Sequence, residues 1–257
     1  MQDQQPLRIG CVKYLNARPL IHGWPTDVVL DHPSVLCARL SRGELDVALV
    51  SSFEFLRNPI YRIVDGVSIS SDGPVYSVVL AHVGEISAVE QIELDPAAET
   101  SGNLLRCLLS ELKLGLRFVA ASKSFPAKGR ARLFIGDQAI RFRQEHGNEF
   151  QFLDLGENWK NLVSFPFVYA LWLVRPEVVD PKSIADRLRA LRDKNLANLN
   201  DLIAGEKEFD PNFCDRYYRW HLRFSFGVRE KQGLRAFHRL CQKHDLLPQR
   251  EIGFSVV

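Results

Sequence analysis

Short β-branched runs alternate with longer amphipathic segments along most of the chain. Residues 8–12 read as an apolar strand that breaks into a polar loop carrying Tyr14, Asn16 and Arg18, where Pro19 predicts an extended Arg18. An apolar run at 28–30 leads through Asp31, His32 and Pro33 into a helix over 35–40 that Gly43 ends. Residues 45–50 read as a buried strand, and the spacing of Ser51 and Glu54 predicts a capping box opening a helix directly after it. Residues 68–74, rich in Ser and closed by Asp72, Gly73 and Pro74, read as a turn. Further strands are predicted at 75–83, 92–95, 116–120, 133–135, 152–155 and 165–174. Thr100, Ser101 and Asn103 are placed to cap a helix over 104–112, and Gly136 and Asp137 to open another. From Asp180 helical spacing takes over, with Pro181 and then Asp210-Pro211 at helix starts and Gly233 ahead of a last helix.

Alternation of this kind predicts an α/β fold with mostly parallel sheets, whose ligands lie beyond the carboxyl ends of the strands. The strands at 75–83 and 165–174 bracket a block with its own strand–helix alternation, while the helices after Asp180 have no sheet of their own. Two lobes follow: 1–75 plus 178–257, and 76–177. Two crossings between them create a hinge and an interlobe cleft, a favoured place for a small-molecule site.

Composition narrows the function class. The net charge of +2, without a block of like charges, argues against a nucleic-acid surface. No stretch approaches the ~18 apolar residues that span a bilayer, and the polar opening residues predict no signal peptide. Five scattered cysteines read as buried thiols of a reducing compartment, so a cytoplasmic protein is expected, as monomer or homodimer. The sequence holds no GxGxxG, Walker, GxSxG or HExxH pattern, and its histidines lack metal-ligand spacing. Neither cofactor nor metal is expected.

The polar segments instead fall at strand ends and helix starts: Tyr14 to Arg18, Ser51-Ser52, Ser70 to Pro74, Thr100-Ser101 and Gly136-Asp137. Each offers hydroxyls, amides or free N–H groups, from which a site for a small carboxylate is built. Each also has a structural explanation as a cap or turn. No nucleophile with a neighbouring base is apparent, so any reaction would rest on positioning and electrostatics.

The segments GCVKYLNARPL (10–20), GELDVALVSSFEFL (43–56), SDGPVYS (71–77), Thr100-Ser101, LFIGDQA (133–139), and DLGENW through FPFVYALW (154–172) resemble the chorismate dehydratases of menaquinone biosynthesis by the futalosine pathway. A weaker match runs from Phe226-Gly227 to Gly233-Leu234. The resemblance implies a two-lobed type II periplasmic-binding-protein-like fold and the conversion of chorismate to 3-[(1-carboxyvinyl)oxy]benzoate by loss of water. It places Asn16 and Ser77 at the reacting centre. Tyr14, Arg18, Ser51, Ser52, Ser71, Asp72, Gly73, Thr100, Ser101, Gly136 and Asp137 are then expected to bind the substrate.

The chain departs from the family pattern at Ala98-Glu99, commonly Ser-Arg, at Arg130-Ala131, commonly Asp-Ala, and at Val163-Ser164, commonly Thr-Gly. The first departure puts an anion beside the expected cleft, for which Lys13 or Arg130 would have to compensate. Two other readings stand beside the dehydratase: the related 1,4-dihydroxy-6-naphthoate synthase, whose Ser-Pro-Cys-Pro-Asn-Asp-type loop is absent here, and a non-catalytic solute-binding protein for a small carboxylate.

Overall fold

The computed structural model describes residues 7–95, 98–122 and 127–257; the opening residues on which the signal-peptide reading rests lie outside these. Two five-stranded sheets organise the chain. The first contains β1 (Ile9–Val12), β2 (Val28–Asp31), β3 (Val47–Ser51), β4 (Arg62–Ser71) and β10 (Phe167–Val174), ordered β2-β1-β3-β10-β4. The second contains β5 (Val78–His82), β6 (Gln91–Leu94), β7 (Arg117–Ala120), β8 (Arg130–Ile135) and β9 (Gln151–Asp154), ordered β7-β6-β8-β5-β9.

Both sheets follow one plan. Three parallel strands are joined by an antiparallel fourth, β10 or β5, which then pairs antiparallel with an edge strand. In each case the antiparallel strand is the first one the chain forms after crossing between sheets. The sheets are therefore mixed rather than mostly parallel. The strand expected at 165–174 lies in the first sheet, between β3 and β4, so the return crossing falls between β9 and β10, ahead of the expected boundary at 177. Eight consecutive buried residues in β10 suit a strand covered on both faces.

Short helices follow the strands: α1 (Arg18–Ile21), α2 (Pro33–Ser41), α3 (Ser52–Arg57), α4 (Glu99–Glu111), α5 (Gly136–Glu145) and α6 (Leu155–Val163). Several local expectations change in context. Arg18 is helical (φ −54°, ψ −42°), because Pro19 occupies the first turn of α1, where its missing N–H costs no bond. Residues 68–71 extend β4 instead of turning. Ser68 and Ser70 donate to the carbonyls of Ser225 and Arg223, and the C-terminal residues pair with the same strand through Ile63 and Asp65. An edge that would otherwise stand open is thereby covered. Ser51 precedes α3, but its side chain makes no capping bond, and α4 begins at Glu99, so Thr100 and Ser101 lie inside its first turn.

The remaining helices, α7 (Pro181–Ala197), α8 (Leu199–Ala204), α9 (Pro211–Arg216) and α10 (Val228–Lys243), return to the first sheet, where α7 packs on β4 and α10 on β10. Asp180 and Asp210 cap α7 and α9 by accepting the N–H groups of Ser183 and Phe213. Gly233 lies within α10 rather than ahead of it. A Cβ there would stand 1.9 Å from the carbonyl oxygen of Pro166, so glycine is what lets the helix approach β10.

Candidate active site

Between the sheets lies a cavity with about 590 Å³ of atom-free space, part of it continuous with solvent. Its walls come from the carboxyl ends of β1, β3 and β8, the entry to β5 and the first turn of α4. Val12, Ile69, Val75, Val78 and Ile135 make it mainly apolar, while Asn16, Ser51, Ser77, Thr100 and Ser101 supply converging polar groups. A few placed polar groups on an apolar wall are typical of a small-molecule site.

Ser77 is held from three sides. Asp154, buried at the start of α6, accepts N–H bonds from Gly156 and Glu157, and also from Val75 and Tyr76 at 3.0 and 2.8 Å. One carboxylate thus caps a helix and pins the segment before Ser77. Tyr76 sits at φ +67° in a tight turn closed by the Ser77 N–H on the Val75 carbonyl at 2.8 Å. Left-handed backbone at a bulky residue is strained and persists where the surroundings enforce it. The third restraint is the hydroxyl of Tyr217, which donates to Ser77 Oγ at 2.6 Å. Tyr217 opens a single π-helical turn, Tyr217–His221, and stacks on Phe213. Burial pushes its pKa well up, so the phenol stays protonated and the Ser77 hydroxyl keeps its own proton free to donate.

Asp154→Ala is accordingly expected to cost about 3 kcal/mol, since several buried N–H groups lose a charged acceptor at once. Urea or thermal denaturation checks it; a loss under ~0.5 kcal/mol would contradict this account.

Asn16 belongs to a 3-10 turn, Leu15–Ala17, that follows β1. Its Oδ1 is buried without a hydrogen-bond partner, and its side chain lies within interaction range of the Tyr217 hydroxyl. An orphaned buried acceptor in a cavity wall is a cost that a bound ligand can relieve. Tyr14 covers this corner, with its hydroxyl 3.2 Å from His32 Nδ1 and its pKa raised to about 12, first by burial and then by Asp137. Its ring lies over Gly136, where a Cβ would come within 3.0 Å of the ring carbons.

At the far wall Ser51 and Thr100 are bonded through their hydroxyls, and Thr100 Oγ1 accepts the Phe53 N–H at 3.2 Å. The first N–H groups of α4, around Thr100 and Ser101, have no acceptor within their own helix. Glu99 also lines the cavity, and it pairs with Arg57, which in turn pairs with the buried Glu54. No arginine, lysine or histidine is among the described lining residues. Cys37, Glu54 and Glu99 place a thiol and two carboxylates within 4.8 Å, but the Arg57 guanidinium pairs with both carboxylates, and burial holds the thiol protonated with a pKa of about 12.

Of the residues expected at the site, Tyr14, Asn16, Ser51, Ser77, Thr100, Ser101 and Gly136 line the cavity together. The others have different partners. Arg18 is drawn into ion pairs with Glu206 and Glu208. Ser52 donates to the Val168 carbonyl at 2.6 Å, and Ser71 to that of Gly73, while lying 3.2 Å from the Tyr169 hydroxyl. Asp72 pairs with Lys160 and Arg229, and Gly73 takes a left-handed turn conformation. Asp137 accepts the Leu15 N–H at 2.8 Å, tying the second lobe to the loop that carries Asn16; burial raises its pKa. Lys13 is exposed and Arg130 pairs with Glu93, so neither lines the cavity beside Glu99. Asp154 and Tyr217, which hold Ser77 and its approach, were not among the expected site residues, and Glu99, which lines the cavity, was noted only as a departure beside the cleft. Tyr217 comes from the C-terminal helical region, 140 residues after its partner Ser77.

Two sheets joined by paired crossings, with a cavity between them, define a periplasmic-binding-protein-like architecture. A Candida albicans gene product described as having the generic periplasmic binding protein fold superposes with a TM-score of 0.62 at 9% identity, covering 95% of this chain and 92% of that one. A crystal structure of an Archaeoglobus fulgidus protein reaches 0.73 at 16% identity, covering 94% and 98%. The chain belongs to the menaquinone biosynthesis family, whose model matches residues 7–243. The chorismate dehydratase of Thermus thermophilus is 28% identical over 256 residues, covering 91% of this chain and 94% of that relative.

Proposed function

We propose that this protein is a chorismate dehydratase, a hydro-lyase that removes water from chorismate to give 3-[(1-carboxyvinyl)oxy]benzoate. The observation that carries the reading is the convergence of Asn16 Oδ1, buried and unpartnered, with a Ser77 hydroxyl whose proton Tyr217 leaves free, in one largely apolar cavity. Family membership and the likeness to the Thermus thermophilus enzyme support it.

The chemistry asks little of the protein beyond placement. The C3 hydrogen of chorismate is acidified through the ring double bond by the ring carboxylate, and loss of the C4 hydroxyl makes the ring aromatic. Ser77 donates to the departing C4 oxygen, and Asn16 Oδ1 accepts that hydroxyl's hydrogen, which fixes the direction of C–O cleavage. The N–H groups at the start of α4 face the carboxylate on which charge develops. The enolpyruvyl carboxylate of the substrate takes the C3 proton and passes it to the leaving hydroxide, so one C–H and one C–O bond break and one water leaves. Glu99 is the competing base. A Glu99→Gln variant that still binds chorismate and has lost turnover a thousandfold would assign the proton to it instead.

Incubation with chorismate, followed by ultraviolet absorbance and mass spectrometry, tests the function. A steady rise of the aromatic enolpyruvyl product is expected; saturable binding without product would favour the solute-binding reading.

A further inference from the structure

Glu99 is the one carboxylate among the described residues that line the cavity, and no cation stands there with it. It also borders the two grooves flanking the cavity, so its side chain is the partition between the substrate's space and Arg57. Arg57 pairs with both Glu99, 25% exposed, and Glu54, 2% exposed. One guanidinium therefore already faces two carboxylates. A dianion arriving beside them makes the local balance worse, in an apolar setting where like charges are poorly screened.

We propose that Glu99 couples binding of the dianionic substrate to the uptake of one proton from solvent. This rests on the dehydratase reading for the identity of the ligand. Glu99 is a carboxylate while the cavity is empty and a carboxylic acid while a dianion fills it. Arg57 then balances Glu54 alone, and the Glu99 O–H becomes a donor toward the bound anion.

Burial already raises the Glu99 pKa, with Arg57 opposing and Glu54 adding to the rise. The other groups facing this wall are Cys37 of α2, whose thiol burial keeps neutral, and Asp95 and Arg106 along the neighbouring groove. The sign follows. Affinity is highest where Glu99 is already protonated, and it falls as pH rises, by at most about tenfold per unit for one coupled proton.

Glu99 is thus a specificity-determining residue, since a monoanion would not draw the proton. The test is calorimetric titration of the full chain with the dianionic product at pH 8, in two buffers of different ionisation enthalpy, with benzoate as monoanion control. Wild type is expected to take up close to one proton with the product and none with benzoate. Glu99→Gln is expected to take up none and to bind the product at least about tenfold more tightly. Arg57→Gln removes the cation that opposes the rise in the Glu99 pKa, so it is expected to take up less proton than wild type on binding the product. Unchanged affinity and uptake in Glu99→Gln would overturn the proposal. Turnover of chorismate without proton uptake defeats this inference alone, whereas a protein that neither binds the product nor turns over chorismate defeats the dehydratase reading with it.

Discussion

Replacing Asn16 with alanine is expected to lower kcat about a hundred- to a thousandfold, the range seen when a placed polar group at a reacting centre is removed, while leaving the melting temperature nearly unchanged. The separation comes from the surroundings of the side chain. Its Oδ1 is buried with no partner, so truncation relieves that cost while losing side-chain packing and the contact with the Tyr217 hydroxyl, and the two effects offset. The turn that carries it is held independently, by the Asp137 carboxylate on the Leu15 N–H and by the Tyr218 hydroxyl on the Leu15 carbonyl at 3.0 Å. Steady-state kinetics beside thermal denaturation checks the expectation. A variant that loses stability and activity in proportion would make Asn16 a structural residue.

Ser77→Ala should cost about a hundredfold in kcat, and here some stability goes too. The Tyr217 hydroxyl, 0% exposed, loses its acceptor, a penalty of about 1–3 kcal/mol for a buried unsatisfied group. Tyr217→Phe removes the donor and leaves Ser77 free to rotate, so turnover falls while substrate affinity holds. If Tyr217 acts through Ser77, the double variant is no slower than Ser77→Ala alone. Fully additive losses would give Tyr217 a separate role.

Much of this was legible in the residues. Asn16 lies in a polar loop, YLNARP, whose residue types mark it, whereas Ser77 falls in a predicted strand and is placed at the reacting centre only by the family resemblance of SDGPVYS; the strand–helix alternation predicted both lobes. What escaped depended on distant packing. The turn-like composition of residues 68–71 was overridden because β10 and residues 223–225 supply partners for its serines. β10 looks like the close of the second lobe in sequence order, yet it completes the first sheet, since hydrophobicity cannot say which sheet a buried strand joins. Arg18 drew notice as the nearest cation, but Glu206, nearly 200 residues on, claims it. Tyr217 reads as one more aromatic on a helical face until the π turn brings its hydroxyl to Ser77.

The central claim is that elimination takes place in this cavity, between Asn16 and Ser77. A single-turnover experiment, with protein in excess over chorismate and mass spectrometry of the quenched mixture, tests it most directly. The account predicts that wild type converts the bound chorismate to a species lighter by one water, while Asn16→Ala holds chorismate with similar affinity and leaves it intact over the same interval. Conversion by Asn16→Ala at the wild-type rate, or none by wild type despite tight binding, would contradict it.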